Sequence, residues 1–322
     1  MVTLYIHDKN HFLTTNLSEL DGLPSHEKIA WIDMYQPTSD EIKQVENLFG
    51  IGFPTKNERE EIELSSRYVE DDFRITINAF FFVSFFFVDN TNRPYNESVT
   101  FILQNDILFS IREKELQTFE TMHTTLIKYP RKFHSGFDIF MQIFDIRIDA
   151  DADLLEYAAK ESDDIRKKLL WETGGQSIEL LQKISTLQEF TAKVRQSVFD
   201  KRRTLTAMAK SPKLTKPLKD QLFIMMKDLN SLVEFITIDA NTLDNLQNLF
   251  LAQTNIEQNK IIKLFTVASV VLMPPTLIAS IYGMNFRFMP ELSWSGGYPF
   301  SILMMVVSGL IPLVYFRKKG WL

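Results

Sequence analysis

The sequence has no cysteine among its 322 residues. Disulfides, thiolate metal ligands and a cysteine nucleophile are therefore excluded, and the composition is typical of a reducing compartment. Histidine is scarce as well, with five copies. His7 and His11 stand four apart in HDKNH, but this segment has the pattern of a strand end and lacks the glutamate of a zinc-protease helix. His26, His123 and His134 are isolated, so we do not expect an enzyme.

The sequence also lacks the pattern GxxxxGK[ST], so we do not expect a P-loop site for nucleoside triphosphate hydrolysis. We expect no organic cofactor and no nucleic-acid partner. The opening stretch MVTLYIHDKNHF has no basic segment followed by an apolar one, and nothing there indicates export of the large polar part.

Charged side chains are missing from two long stretches near the C-terminus. Residues 264–286 carry none, and at 1.5 Å rise per residue they span roughly 34 Å, which matches a bilayer core. Residues 292–316 carry none either, and 298–316 are the most apolar part. A soluble apolar hairpin is the alternative, but the length of both runs favours two transmembrane helices, at 264–286 and 298–316.

The flanking charges predict the orientation of these helices. Lys260 and Lys263 precede the first run, and the second run is followed by Arg317, Lys318 and Lys319. The link at 287–297 carries one basic and one acidic residue, Arg287 and Glu291. Because cytoplasmic flanks are the basic ones, we expect both termini, including the tail at 317–322, in the cytoplasm. The chain would then lie in a bacterial inner membrane or a plasma membrane.

The first 134 residues predict a cytoplasmic α/β sandwich domain. Strands are expected at Val2–Ile6, Ile29–Asp33, Arg74–Phe87, Val99–Leu103 and Ile107–Ile111. Thr38 to Glu41 have capping-box spacing and predict a helix toward Phe49 that ends at Gly50 or Gly52. The aromatic run Ile77–Val88 is too short for a membrane span and is interrupted by polar residues, which favours a strand buried on both faces.

Helical periodicity begins at about residue 135. A helical hairpin is expected over 135–216, acidic in its first arm and basic at Lys201-Arg202-Arg203, with WETGGQS as the turn. Residues 217–263 then predict a stalk helix with an apolar stripe at near-heptad spacing. Because no proline or glycine intervenes before Pro274, this helix should run on into the first membrane span, roughly 97 Å from Leu218 to Tyr282 at 1.5 Å per residue. A helix of that length usually belongs to a bundle.

One face of the first membrane helix is small and weakly polar. Its residues recur at steps of three and four: Asn259, Ile262, Thr266, Ser269, Met273, Thr276, Ser280 and Gly283. Such a stripe most often means close helix packing. The alternative is a pore lining, and since two spans cannot enclose a pore, that would require a symmetric oligomer in which each subunit contributes one helix.

As a pore lining, this stripe would offer amide and hydroxyl oxygens and no carboxylate. Mg²⁺ gives up its water reluctantly, so such oxygens suit contact through the hydration shell. Ile262, Phe265 and Met273 would form apolar constrictions that close by excluding water. Pro274-Pro275 removes two backbone donors and should bend the helix or leave carbonyls free.

The end of the first run carries a recognisable combination of motifs. Tyr282-Gly283-Met284-Asn285 is followed by Met289-Pro290-Glu291-Leu292, Gly297-Tyr298-Pro299 and the close Arg317-Lys318-Lys319-Gly320-Trp321-Leu322. Together, at these places in the chain, they resemble the CorA family of magnesium channels. The resemblance covers all 322 residues.

This resemblance implies a funnel-shaped homopentamer with a cytoplasmic α/β domain, a stalk continuous with the pore helix, and an outer second span in contact with lipid. By similarity, Gly283, Met284 and Asn285 form the selectivity filter, with Asn285 binding hydrated Mg²⁺. Position matching makes Asn259 and Thr276 polar rings and places Ile262, Phe265 and Met273 at the hydrophobic gate. Since zinc-exporting relatives vary the middle of the triplet, Met284 favours magnesium over zinc.

Family members that sense cytoplasmic Mg²⁺ use acidic residues between neighbouring funnel domains. Here the corresponding stretch is NEREEIELSS, and the candidates are Glu58, Glu60 and Asp228 on the stalk. The alternative is that the acidic stretch is a solvated helix face.

The leading hypothesis is a Mg²⁺ influx channel gated by cytoplasmic Mg²⁺. A Co²⁺, Ni²⁺ or Zn²⁺ transporter of the same superfamily and a membrane-anchored scaffold without transport remain as alternatives.

Overall fold

The computed structural model describes residues 1–8, 11–19, 28–61, 63, 67–83, 94–171, 177–285, 287 and 289–321. The chain divides into two compact units: Met1–Glu172 with Ile178–Leu246, and Thr173–Ser177 with Gln247–Leu322. Parts of the sequence predictions fall outside the described residues: His26, the strand beyond Val83, residues 172–176 of the hairpin turn, Phe286, Leu322 and the side chain of Glu60.

The first unit contains a seven-stranded sheet. Its strands are β1 (Val2–Asp8), β2 (His11–Asn16), β3 (Ile29–Tyr35), β4 (Tyr68–Glu70), β5 (Arg74–Val83), β6 (Tyr95–Gln104) and β7 (Ile107–Arg112). They lie in the order β2-β1-β3-β7-β6-β5-β4, and within it only the β3–β7 pair is parallel. Asn105 and Asp106, both with positive φ, form the two-residue turn between β6 and β7.

The sheet is the middle layer of a three-layer α/β sandwich, which confirms the expected fold class. One face packs against α1 (Ser39–Phe49) around Val45. The other face packs against α3 (Gln117–Lys128), α4 (Gly136–Trp171), α5 (Ser177–Met208) and the first part of α6 (Lys216–Tyr282). Strand β3 is buried on both faces because Trp31 points into one core and Ile32 into the other.

Local signals in the sequence explain several of these elements. Thr38 caps α1 in a capping box with Glu41, and Gly50 ends the helix in the left-handed conformation, as predicted. Strand β5 is buried at eight of its ten residues, with Arg74 and Phe80 half-buried, which confirms a core strand over the described part of the aromatic run. The five predicted strands are present with shifted ends.

Strands β2 and β4 were not predicted from the sequence. Strand β2 pairs with β1 so that Asp8 lies opposite His11, and His7 and His11 therefore lie on two paired antiparallel strands. Its polar, half-exposed residues give little strand signal. Strand β4 is three residues long, too short for any periodicity to be detected.

The long helices of the first unit pack through an apolar stripe and a buried polar cluster. The stripe predicted on α6 is buried at Leu222, Met225, Leu229, Leu232, Ile236, Leu243 and Leu246. Between α4 and α5, Lys201 Nζ lies 2.8 Å from Asp151 Oδ2, and neither side chain is exposed. Arg147 also pairs with Asp151 and donates to the carbonyl of Phe82 at 2.9 Å. This cluster joins both arms of the predicted hairpin to strand β5, because Ser197 on α5 donates to the carbonyl of Phe80.

Within the part of the chain that the structure describes, two helices are long and apolar enough to cross a membrane, namely α6 and α7 (Gly297–Lys318). Only 6% of the apolar window of α6 and 11% of that of α7 is buried. Core helices of a soluble protein would be mostly buried, so this exposure favours membrane spans. A short 3₁₀ helix, Pro290–Ser293, lies in the link between them.

Candidate ion pathway in the second unit

The weakly polar stripe of α6 is exposed along its whole length in the second unit. Asn259, Thr266, Ser269, Thr276, Ser280 and Gly283 are all exposed. The three residues expected at the hydrophobic gate are exposed too, Ile262 at 61%, Phe265 at 68% and Met273 at 66%. Large apolar side chains left this open need a further partner, either lipid or another copy of the helix.

The contact with α7 lies on the other face of α6. Val267 is 5% exposed, and Val271, Pro274 and Ile278 follow it at helical steps as half-buried residues. A Cβ built on Gly309 of α7 would lie 3.4 Å from both Pro275 Cγ and the carbonyl oxygen of Val271. Packing against α7 therefore does not account for the weakly polar stripe, which is turned away from α7.

The two prolines sit where α7 comes close. Because Pro275 has no N–H, the carbonyl of Val271 loses its helical donor, and Gly309 leaves room beside that oxygen. The helix nevertheless continues through Pro274 and Pro275 to Tyr282.

The hydroxyls on the stripe are oriented by their own helix. Thr276 donates to the carbonyl of Leu272 at 2.7 Å, and Thr266 donates to that of Ile262 at 2.8 Å. With its hydrogen directed to the backbone, each hydroxyl oxygen keeps lone pairs for other donors. A hydrated cation offers such donors through its water, so these threonines suit acceptance of hydrogen bonds from aqua ligands.

The helix ends immediately before the Gly-Met-Asn triplet. The Gly283 N–H still donates to the carbonyl of Ala279 at 2.9 Å, and Met284 makes a tighter turn to Ile281 at 3.2 Å. Asn285 follows outside the helix with its residue exposed. Gly283 does not have positive φ, so the helix does not end through a left-handed glycine, as at Gly50. A Cβ at Gly283 would lie 3.2 Å from the Ala279 oxygen, so a side chain there would require a shift of a few tenths of an ångström at the helix end.

At the other end of the unit, the basic flanks of the two runs meet. Lys263, just before the first run, lies 5.8 Å from the ring centroid of Trp321 in the C-terminal tail. Trp321 in turn stacks on Phe316 at 5.3 Å. The start of the first run and the end of the second are therefore on the same side, as a membrane hairpin requires.

The described candidate regulatory side chains, Glu58 and Asp228, do not belong to a metal site within one chain. Among the described residues, no group of three or more histidine, aspartate or glutamate side chains is placed to hold a metal ion. Glu58 is the third residue of α2 (Lys56–Glu60) and accepts hydrogen bonds from Thr55 N and Oγ1 at 2.7 and 2.9 Å. These bonds lower the pKa of Glu58 and give it a capping role that the sequence analysis did not identify.

Asp228 belongs to a dispersed acidic surface. It is exposed on α6. The pKa of Asp149 on α4 is raised, first by burial, then by the charges of Asp145 and Asp153, and then by that of Asp228. Glu60 is the last residue of α2. A regulatory metal site that uses Glu58 or Asp228 would therefore need side chains from more than one subunit.

The fold and the second unit define a class of protein: a membrane protein in which an α/β sandwich precedes two apolar helices. The family described as CorA-like Mg²⁺ transporter protein matches residues 26–318. The chain belongs to the CorA family. It is similar to proteins named magnesium transport protein CorA, with 47% identity to that of Wolinella succinogenes and 46% to that of Campylobacter jejuni, each over all of both chains.

A solved structure supports the same fold over the whole chain. The complete structure of the CorA magnesium transporter from Methanocaldococcus jannaschii matches with a TM-score of 0.81 and 20% identity, covering 100% of this chain and 99% of that one. At 20% identity this structural similarity supports the fold alone.

Proposed function

We propose that this chain is the subunit of a passive Mg²⁺ channel. The observation that carries the proposal is the exposed, uncharged polar stripe of α6, which faces away from α7 and leads to exposed Asn285. Relatives that match the chain from end to end bear the name of magnesium transport protein. A membrane anchor would not need hydroxyl and amide groups on the face that α7 leaves open.

The pathway requires several copies of the chain. One α6 and one α7 cannot enclose a pore, so we infer a symmetric homo-oligomer with one α6 per subunit around the axis, and the family resemblance makes it a pentamer. Gly283, Met284 and Asn285 then form the entrance, and the Asn285 amides make a neutral collar. Mg²⁺ keeps its water there, since amide oxygens accept hydrogen bonds from aqua ligands without replacing them.

The membrane potential supplies the driving force. With both termini in the cytoplasm, an inside-negative potential of 100 mV gives about 4.6 kcal/mol per divalent cation, because each charge contributes about 2.3 kcal/mol. Flux then needs no nucleotide or other organic cofactor, and the chain supplies only selectivity and gating.

Selectivity and gating are carried by different residues below the entrance. Thr276 and Asn259 form polar rings that support the hydration shell. Ile262, Phe265 and Met273 form an apolar constriction that conducts when it is wet and closes when water leaves it. Carboxylates are absent from this stretch, since residues 258–290 contain no aspartate or glutamate.

Cytoplasmic Mg²⁺ is the proposed gating signal. Glu58, Glu60 and Asp228 would act between neighbouring subunits, where each side contributes one or two carboxylates to a shared hydrated ion. The capping bonds of Glu58 leave its remaining lone pairs available, since each carboxylate has about four acceptor sites.

Flux into proteoliposomes loaded with a Mg²⁺ indicator tests this function. We expect saturable Mg²⁺ uptake that grows with an inside-negative potential. Competition by Co²⁺, Ni²⁺ and Zn²⁺, added one at a time, ranks the alternative cargoes. An anchored scaffold would give vesicles no more permeable than protein-free ones, and that result would overturn the proposal.

A further inference from the structure

The basic cluster at the end of α5 has no part in the ion pathway. A surface cavity of about 430 Å³ lies between the C-terminal end of α5 and α6, within the first unit. Its lining is Arg202, Arg203, Thr206, Ala207, Lys210, Met226 and Asn230. Three of these seven side chains are cationic and none is acidic, in a chain whose formal net charge is −6.

The three cations are not neutralised by the protein. Among the described residues, neither Arg202, Arg203 nor Lys210 pairs with a carboxylate. Burial raises the pKa of Asp200, and the charge of Arg203 is one of the influences that oppose this rise. Asp200 has other partners, however, since it accepts a hydrogen bond from the Phe80 N–H at 2.8 Å and pairs with Arg67 at 3.5 Å. The cavity therefore keeps a net positive charge.

Arg202 is also held in place by contacts on both helices. The guanidinium of Arg202 lies 4.8 Å from the centre of the Phe199 ring, and the group reaches Asn230 on α6 at 3.5 Å. Thr206 donates to the carbonyl of Arg202, so its oxygen lies on the same helix turn as that arginine. Like charges gathered on adjacent turns repel one another, a cost that a bound anion removes.

We propose that this cavity binds an oligophosphate anion. Guanidinium groups match phosphate oxygens in pairs, and an ammonium adds a point charge. Two arginines and one lysine complement an anion with two or three phosphates better than a monovalent one. The half-buried Ala207 and Met226 leave an apolar side against which an organic group of the same anion can lie.

Isothermal titration calorimetry on the full-length protein in nanodiscs tests the site, with tripolyphosphate as the probe. The buffer contains no divalent cation, because tripolyphosphate chelates them. We expect saturable binding that weakens at high salt, since part of the attraction is screened. Arg202→Gln with Lys210→Gln should weaken binding at least tenfold, while the melting temperature stays within 2 °C of the unmodified protein, on the order of the change expected for surface substitutions.

A matched control removes two positive charges elsewhere. Arg166→Gln with Lys167→Gln alters exposed cations on α4 that pair with Asp163 and Asp164, and binding should stay within about twofold. Equal weakening in both double variants would show that only net charge matters and would overturn the site.

Two further arms identify the source of the phosphate. ATP replaces tripolyphosphate in one, and nanodiscs with phosphatidylglycerol replace zwitterionic ones in the other. Tighter binding of ATP assigns a nucleotide. Because phosphatidylglycerol carries a single phosphate, its retention by the unmodified protein and loss from Arg202→Gln with Lys210→Gln, without binding of tripolyphosphate, would assign a lipid headgroup and overturn the oligophosphate proposal. Absence of binding in every arm overturns the proposal, and none of these measurements depends on ion flux.

Discussion

Pro275 of α6 lies against Gly309 of α7, where an added Cβ would be 3.4 Å from Pro275 Cγ. This contact fixes which face of α6 is used by α7. The stripe from Asn259 to Gly283 is left on the other side. The contact of Gly309 with Pro275 is therefore on the face of α6 that is opposite the exposed polar stripe.

Enlarging Gly309 should weaken the pair of membrane helices. In Gly309→Val, the branched side chain would meet Pro275 and the Val271 carbonyl, and overpacking of this kind costs about 1–3 kcal/mol. Gly309→Ala adds one methyl at contact distance and should cost clearly less. Thermal melting in nanodiscs measures both, and equal melting temperatures for the two variants would argue against the contact.

The buried pair of Lys201 and Asp151 should be essential for the first unit. In Lys201→Met, the carboxylate of Asp151 stays buried with one partner fewer, and breaking such a pair costs about 3–5 kcal/mol. Lys167→Met, at an exposed lysine of α4, should change stability by less than about 0.5 kcal/mol. Denaturant unfolding of the two variants provides the comparison, and similar losses would contradict the role of burial.

The same lysine predicts a pH dependence. Burial lowers the pKa of Lys201 from 10.5 to about 8, with the charge of Asp151 opposing the shift. Between these values the unfolded chain holds a proton that the folded chain has released, so this group makes stability rise with pH. The melting temperature of the unmodified protein minus that of Lys201→Met should therefore grow from pH 7.5 to pH 9.5. A difference that shrinks would mean the sign is wrong.

Gly283 should be sensitive to a single methyl group. In Gly283→Ala the new Cβ would lie 3.2 Å from the Ala279 oxygen, so the helix end must move by a few tenths of an ångström. That movement passes to Asn285, two residues on. We expect Mg²⁺ flux in proteoliposomes to fall severalfold with little change in melting temperature, and full flux would show that the helix end tolerates the shift.

Met273 should hold the pathway closed. The side chain is 66% exposed on the stripe, and Met273→Ser would let water remain at the constriction. Basal Mg²⁺ flux should rise severalfold. Leu303→Ser, at an exposed position of α7, serves as the control for a polar change and should leave basal flux near normal. A rise of similar size in both variants would point to general leakiness.

The sequence predicted what depends on periodicity and local capping. Thr38 with Glu41 marked the start of α1, and the spacing of Leu222 to Leu246 marked the packed face of α6, because both signals lie within a few helix turns. The exposed stripe was likewise visible as a pattern. Its proposed use as a pathway depends on a symmetric oligomer. The sequence of one chain indicates such an oligomer only through the family resemblance.

Features that join distant segments were missed. Asp151 and Lys201 are fifty positions apart, and each looked like a member of a charged surface until the fold buried them together. The contact of Pro275 with Gly309 crosses two helices in the same way. A glycine in the otherwise bulky apolar run of α7 was the one available signal. Strand β4 gave none, since it is defined by its pairing with β5.

Exposed Asn285 is the residue that we propose forms the collar that selects hydrated Mg²⁺. Asn285→Ala removes the amide oxygen while leaving α6 unchanged up to Tyr282, and Asn245→Ala, at an exposed amide of the same helix, is the matched control. Mg²⁺ uptake is measured in proteoliposomes with and without competing Co²⁺ and Ni²⁺. Asn285→Ala should abolish selective Mg²⁺ uptake while Asn245→Ala retains it, and unchanged uptake and selectivity in Asn285→Ala would show that Asn285 does not select the ion.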